Sequence, residues 1–167
     1  MTHPSPLSLA QFNESAEDSA RAVMLNVCRC GDWADAMVAG RPYGDVHQIL
    51  HAARTHWRGD EAQLLEACSG HAKIGDTRAI AKGGHSAREQ GQVASASDQL
   101  LAELAALNGE YQKKFGFIYL VCASGRSPDT LLALLKSRLT NSRSQEIINA
   151  AAEQAAITRL RLTQLFL

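Results

Sequence analysis

The sequence has 167 residues, 46% of them hydrophobic and 5% aromatic, and its 17 Lys and Arg balance 17 Asp and Glu to a formal net charge of +0. A chain of this length buries roughly 70% of the surface that its unfolded form exposes, so it can fold without disulfides or metal. Zero net charge provides no long-range field to attract a polyanion, and no apolar run approaches the about 20 residues of a membrane span, so neither nucleic acid nor a membrane is an expected partner.

The start of the chain and its cysteines both predict a cytoplasmic protein. The first residues lack the basic and apolar regions of a signal peptide. Cys28, Cys30, Cys68 and Cys122 do not show the paired C-x₂-C spacing of zinc sites. Free cysteines pack as small hydrophobic side chains, so we expect four reduced thiols.

Helix signals dominate the N-terminal half of the chain. Apolar residues recur there at three- and four-residue steps between capping residues and glycines. The predicted helices cover residues 20–28 after a capping box at Ser15 to Asp18, residues 33–39, the stretch from the cap Asp45 to about Trp57, and residues 61–67.

The second half begins with an irregular, glycine-containing segment over residues 71–84, which is the longest predicted loop. Helix resumes near Ser86 and is most strongly indicated over residues 97–115. The run 117–123 suits a buried strand as well as a helix. Further helices are predicted from Ser127-Pro128 through Leu139 and from the cap Ser144 to the C-terminus. The pattern indicates an all-α fold, a single compact domain of about eight helices over residues 1–167.

Two groups of polar residues lie around the irregular segment. His71 follows Gly70 at a helix end, where a structural histidine is also a common finding. The stretch from Ser86 to Gln90 contains Ser86-x-x-Glu89, which is a capping box and needs no function, although the free N–H groups of a helix start can also bind an anionic ligand.

Arginines and histidines elsewhere add further candidates. Arg126, Arg159 and Arg161 could bind a carboxylate through paired hydrogen bonds. A solvated face is the usual position of a helical arginine, although Leu160 and Leu162 beside Arg161 also allow an interior position, which would need a partner. His47 and His51 have the i, i+4 spacing of metal ligands, but the pattern supplies no third ligand.

A series of motifs in order resembles the OHCU decarboxylase family, whose members act on 2-oxo-4-hydroxy-4-carboxy-5-ureidoimidazoline (OHCU) in urate degradation. The similarity runs nearly end to end, and the series is specific although no single motif is. It comprises Phe12-Asn13, Trp33, Arg41-Pro42-Tyr43, His71-Ala-Lys-Ile-Gly75, Ser86-x-x-Glu89-Gln90, Tyr111-x-x-Lys114-Phe-Gly-Phe117, Cys122-Ala-Ser-Gly-Arg-Ser127 and Leu160-Arg161-Leu162.

The resemblance implies an all-helical homodimer that converts OHCU to S-(+)-allantoin and carbon dioxide, as a carboxy-lyase without metal or organic cofactor. It implies that His71 handles the proton and that Glu89 orients His71 or the ureido group. The implied substrate-binding residues are Ala72, Ser86, Ala87, Arg88, Glu89, Gln90, Tyr119, Leu120, Val121, Cys122, Ala123 and Arg161.

One departure from the family pattern leaves alternatives open. Ala72 follows His71 where the family usually has proline, so the backbone there is less constrained. A catalytically inert helical binding module that keeps the fold is the alternative reading. A metal hydrolase built on His47 and His51 is a third.

Overall fold

The computed structural model describes residues 7–71 and 98–167. Within these ranges the chain forms eight α-helices and no strand, which confirms the all-α class. None of these helices is long and apolar enough to cross a membrane. In chain order they are α1 (Leu9–Glu14), α2 (Glu17–Val27), α3 (Gly31–Ala39), α4 (Val46–His56), α5 (Glu61–Cys68), α6 (Asp98–Phe115), α7 (Pro128–Arg138) and α8 (Arg143–Phe166).

Side-chain caps set several helix starts where the sequence predicts them. Asp45 accepts a hydrogen bond from the backbone N–H of Gln48 at the start of α4. Ser127 accepts one from Thr130 at the start of α7, with Pro128 in the first turn. These contacts are local in sequence and satisfy N–H groups that a helix start leaves without partners, so they can be predicted from the sequence.

Two predicted caps are wrong. The helix expected after a Ser15 capping box begins instead after Ala16, which makes no side-chain cap. The capping box lies one helix earlier, at Ser8 and Gln11, and starts α1, a helix that is not among those predicted from the sequence. At the start of α8, the hydroxyl of Ser142 rather than Ser144 accepts the N–H of Gln145.

The run Phe117–Ala123 is neither strand nor helix. It is an irregular segment whose residues are mostly buried, and it connects α6 to the turn before α7. Backbone groups of Tyr119, Leu120 and Cys122 bond to side chains of helices, which take the place of a strand partner or a helical turn at these positions.

The described residues divide into two compact units. The first comprises Met1–Arg58 and Ala155–Leu167. There α2 packs on α3 and α3 on α4, and the indole N–H of Trp33 donates to the carbonyl of Ala53 at 3.0 Å. The guanidinium of Arg41 donates to the carbonyls of Phe12 and Ser15 at 2.8 and 2.7 Å, so it satisfies the C-terminal end of α1.

The second unit comprises Gly59–Gln154. In it α6 packs on α7, and an aromatic cluster forms around Tyr111, whose ring centroid is 4.5 Å from that of Phe115 and 5.6 Å from that of Tyr119. Leu131 and Leu135 of α7 are fully buried. This unit contains His71, which follows α5, and the segment 119–123, so it holds all the predicted site residues that the structure describes except Arg161.

The predicted loop over 71–84 and the predicted helix from Ser86 lie outside the described residues, except for His71 itself. The single-domain organisation over residues 1–167 stays a prediction.

Candidate functional site

His71 is held at the C-terminal end of α5. Its backbone N–H donates to the carbonyl of Cys68 at 3.1 Å, and the preceding residue Gly70 donates to Ala67 at the same distance. These bonds satisfy carbonyls that the end of a helix leaves without partners. The side chain of His71 is half-buried, so the helix end supports an imidazole that remains partly accessible.

The imidazole contacts a buried amide of α8. The Nε2 atom of His71 lies 2.6 Å from Oε1 of Gln154, across 83 positions in sequence. Gln154 is 0% exposed. A buried amide needs hydrogen-bond partners, and this short contact provides one. His71 is therefore held at two points, its backbone N–H and the Nε2 atom of its ring.

Residues 119–123 form a buried segment whose polar backbone atoms bond to side chains from three helices. The N–H of Tyr119 donates to Asn108 of α6 at 3.4 Å. The carbonyl of Leu120 accepts from Arg138 of α7 at 2.8 Å. The N–H of Cys122 donates to Glu153 of α8 at 3.4 Å.

Glu153 joins this segment to the turn that follows it. One carboxylate oxygen accepts the N–H of Cys122, and the other is 2.8 Å from the guanidinium of Arg126. Arg126, a predicted candidate for binding a substrate carboxylate, thus pairs with a carboxylate of its own chain. Because Glu153 and Gln154 are adjacent, the same turn of α8 holds both the segment 119–123 and His71.

Behind the segment lies a buried charged pair. The Nε atom of Arg138 is 2.6 Å from Oε1 of Glu146, and the two side chains are 8% and 0% exposed. The remaining nitrogens of Arg138 donate to Leu120 and to the hydroxyl of Tyr111. Buried charges are tolerated when they are paired and hydrogen-bonded, as here.

The carboxylate of Glu146 accepts further hydrogen bonds. They come from the hydroxyl of Tyr111 at 2.5 Å and from the amides of Asn141 and Asn149 at 2.9 and 2.7 Å. Burial alone would raise the pKa of Glu146, but these bonds and that from Arg138 hold it below its ordinary value. Burial also raises the pKa of Tyr111 and brings that of Tyr119 to about 12.

Arg161 belongs to the first unit. It is 4% exposed, and its Nη1 atom donates to the carbonyl of Val27 at 2.9 Å. Of the two positions that the sequence allows, Arg161 occupies the interior one and not a solvated face, and the carbonyl that ends α2 is one of its partners. Arg159, the other arginine of this pattern, is exposed.

Six of the thirteen predicted site residues lie outside the described residues. This holds for Ala72, Ser86, Ala87, Arg88, Glu89 and Gln90, whose predicted roles therefore stay predictions. Of the predicted site residues that the structure does describe, His71 and 119–123 attach to one turn of α8 in the second unit, and Arg161 lies in the first.

His47 and His51 line a cavity of about 280 Å³ in the first unit. None of the described members of the predicted site lies in its wall. Over residues 7–71 and 98–167, no group of three His, Cys, Asp or Glu side chains could hold a metal ion. The cavity wall consists of His47, Leu50, His51, Ala53, Arg54, Trp57, Ala155, Ala156, Thr158 and Arg159.

Gln154, Arg138 and Glu146 are not among the residues predicted from the sequence. Each has a signal in the helical pattern, because each lies on the apolar stripe of its helix. Arg138 follows Leu131 and Leu135 at steps of four and three, and Gln154 follows Ala150 by four. A polar residue on a buried stripe indicates a buried hydrogen-bond network.

The fold and this site define an all-α protein with a histidine held between a helix end and a buried amide. Residues 13–163 match the family model described as OHCU decarboxylase. The chain belongs to this family, which confirms the resemblance.

Similar proteins extend this result. The chain is 37% identical over 146 residues to "Uric acid degradation bifunctional protein TTL" of Arabidopsis thaliana, a match that covers 83% of this chain and 45% of that protein. The chain thus spans under half of that protein's length. It is 25% identical to "2-oxo-4-hydroxy-4-carboxy-5-ureidoimidazoline decarboxylase" of Haloferax volcanii, with 96% of both chains covered.

A solved structure shows the same fold. The "Crystal structure of OHCU decarboxylase in the presence of (S)-allantoin" superposes with a TM-score of 0.76 at 32% identity and covers 91% of this chain and 99% of its own. A "Crystal structure of (S)-allantoin synthase" shares the fold with a TM-score of 0.68 at 18% identity, covering 95% of this chain and 54% of its own.

Proposed function

We propose that this chain decarboxylates OHCU to S-(+)-allantoin and carbon dioxide, the last step from urate to allantoin. The observation that carries the proposal is its similarity, over 91% of its length, to an OHCU decarboxylase crystallised in the presence of (S)-allantoin. An inert helical binding module that keeps the fold is the alternative.

The chemistry of the substrate explains why so few groups are needed. Its carboxylate is attached to a ring carbon next to a C=N bond. As carbon dioxide leaves, the electron pair of the broken C–C bond forms a C=C bond in the ring, and the C=N electrons move to nitrogen, which takes a proton. The 4-hydroxyl then loses its proton while the neighbouring carbon gains one, so one proton is consumed overall. The protein has to orient the ring and deliver protons to one face.

His71 is the residue that we assign to proton transfer, as a general acid or by steering the 4-hydroxyl. Its half-buried ring and its fixed position at the end of α5 support this role. Glu89 orients His71 or the ureido group, and Ser86 and Gln90 bond ring and ureido atoms. The remaining binding contacts are assigned to Ala72, Ala87, Arg88, Arg161 and the backbone of 119–123.

Arg161 has a restricted role in this proposal. Pairing with the departing carboxylate would stabilise the ground state more than a transition state in which that charge disperses. We therefore propose that Arg161 binds a carbonyl oxygen of the ring or of the ureido group as readily as it binds the carboxylate. Its guanidinium is supported by the Val27 carbonyl and is buried, which strengthens hydrogen bonds to a substrate oxygen.

The decisive experiment generates OHCU in situ from urate with urate oxidase and hydroxyisourate hydrolase. Its decay is followed by ultraviolet absorbance, and the formation of S-(+)-allantoin by circular dichroism. We expect decay well above the spontaneous rate and a single enantiomer. Decay at the spontaneous rate would support the inert binding module instead.

His71→Asn tests the catalytic histidine. We expect loss of stereoselective allantoin formation with an unchanged helical circular dichroism spectrum, because asparagine cannot exchange a proton near neutral pH. His51→Asn is the matched control, since His51 is exposed and lies in the first unit. Turnover retained by His71→Asn would refute the assignment.

Arg161→Ala tests substrate binding. We expect mainly a raised KM, because the residue contributes binding in the ground state as well as in the transition state. Arg159→Ala, an exposed arginine two residues away on the same helix, is the control. An unchanged KM in Arg161→Ala would count against the role.

We also propose that the enzyme is a homodimer that works in the cytoplasm and needs no metal or organic cofactor. Sedimentation equilibrium of the purified chain tests the oligomeric state. A homodimer should have twice the 18.0 kDa mass of one chain.

A further inference from the structure

We propose that Gln154 is a positioning residue for His71, which sets the tautomer and the direction of the imidazole. This inference rests on the proposed function, because it describes the histidine that the proposal assigns to proton transfer. It concerns a residue that lies on α8, far from His71 in sequence, and that the predicted site does not contain.

The geometry of the contact carries the inference. The amide oxygen of Gln154 is 2.6 Å from Nε2 of His71, and the amide is fully buried. Displacing the imidazole would deprive a buried acceptor of this partner, which is unfavourable in an interior without water. The backbone bond from His71 to Cys68 holds the other end of the residue. The ring therefore has one preferred orientation.

The acceptor also decides where the proton of the neutral ring lies. An amide oxygen can only accept, so Nε2 carries the hydrogen and Nδ1 carries the lone pair. Proton exchange with the substrate then falls to Nδ1. Without Gln154, the two tautomers would be populated according to solvent, and a part of the enzyme would present the wrong nitrogen.

The choice of an amide over a carboxylate has a chemical consequence. The adjacent carboxylate, Glu153, is 2.8 Å from Arg126 and accepts from Cys122. A neutral acceptor can bond the ring in both its neutral and its protonated form, whereas a carboxylate at that distance would favour the imidazolium. Gln154 thus orients the ring and leaves it able both to take up and to release a proton.

Three variants test the inference. In Gln154→Leu we expect kcat to fall about ten- to a hundredfold, the range found when the partner that orients a ligating histidine is removed, with KM nearly unchanged. In Gln154→Glu the acceptor is restored but charged, so activity should recover and the limb of the pH–rate profile that His71 governs should move up by about one to three pH units. Gln164→Leu, an exposed glutamine of the same helix, is the matched control.

A readout independent of activity separates this inference from the proposed function. In protein labelled with ¹⁵N-histidine, long-range proton–nitrogen correlation spectra distinguish the two tautomers, and His71→Asn assigns the signal. We expect a protonated Nε2 in the wild type and a mixture in Gln154→Leu.

The possible outcomes are separable. One outcome is a wild type that lacks decarboxylase activity while its spectra show a protonated Nε2 that becomes a mixture of tautomers in Gln154→Leu. This result would refute the decarboxylase proposal and support the positioning role of Gln154. A folded, active Gln154→Leu variant with unchanged kcat and tautomer would refute the positioning role of Gln154 and leave the decarboxylase proposal intact. A pH–rate profile of Gln154→Glu that matches the wild type would do the same.

Discussion

Tyr119, the first residue of the segment 119–123, has a buried phenol that donates to the carbonyl of Leu131 at 3.1 Å. Burial raises its pKa from 10.0 to about 12 in the folded protein. Between these values the unfolded chain loses the phenol proton while the folded chain keeps it. The stabilisation is therefore complete below pH 10 and is lost as the pH rises through about 12.

Tyr119→Phe tests this dependence. At pH 7 we expect a loss of about 0.5–1.5 kcal/mol in the free energy of unfolding, because one buried hydrogen bond disappears. Between pH 10 and 12 the wild type should lose stability more steeply than the variant. Part of the alkaline loss should remain, since burial also raises the pKa of Tyr111. Urea unfolding at pH 7 and pH 11 measures both effects, and parallel losses in the two proteins would contradict the assignment.

At the scale of elements, the pair Arg138–Glu146 connects α7, α8 and the irregular segment 117–123. Arg138 contacts Glu146 and the carbonyl of Leu120, so it joins the two helices and also fixes the segment. A charge left alone in this interior would be costly. Each member of the pair therefore stabilises the fold only when the other is present, and together they hold the backbone of the segment in place.

Arg138→Met should lower the free energy of unfolding by about 3–5 kcal/mol, because it leaves the Glu146 carboxylate buried without its cation. The double variant Arg138→Met/Glu146→Leu should be more stable than Arg138→Met, since no unpaired charge remains. Lys136 lies on the same helix as Arg138 and makes an exposed pair with Glu103 of α6, so Lys136→Met should cost at most about 1 kcal/mol. Urea unfolding measures all three, and strictly additive losses in the double variant would argue against a coupled pair.

At the scale of the whole molecule, the proposed reaction uses the substrate's own ring as the electron sink. Dialysis against a chelator should therefore leave the rate of OHCU decay unchanged. The alternative hydrolase reading, in which His47 and His51 bind a metal, expects activity to disappear and to return with added metal. Elemental analysis of the dialysed protein, together with the decay assay, distinguishes these two outcomes.

Local signals in the sequence predicted most of the helices. Asp45, Ser127 and Pro128 act on backbone groups within three residues, and apolar stripes repeat within one or two turns, so neither depends on distant partners. Competing local signals explain the errors. Ser8 and Ser15 both precede residues that can complete a cap, and only the packed chain decides which one does so.

For the site, the sequence by itself determined the residue types, their order and the family that this order indicates. The tertiary structure alone decided the partners. His71 and Gln154 lie 83 positions apart, and the backbone of 119–123 bonds to side chains from α6, α7 and α8. A periodic pattern describes only contacts within one helix. Which buried polar groups meet across the core is set by how the helices pack, since each such group must find its hydrogen-bond partner there.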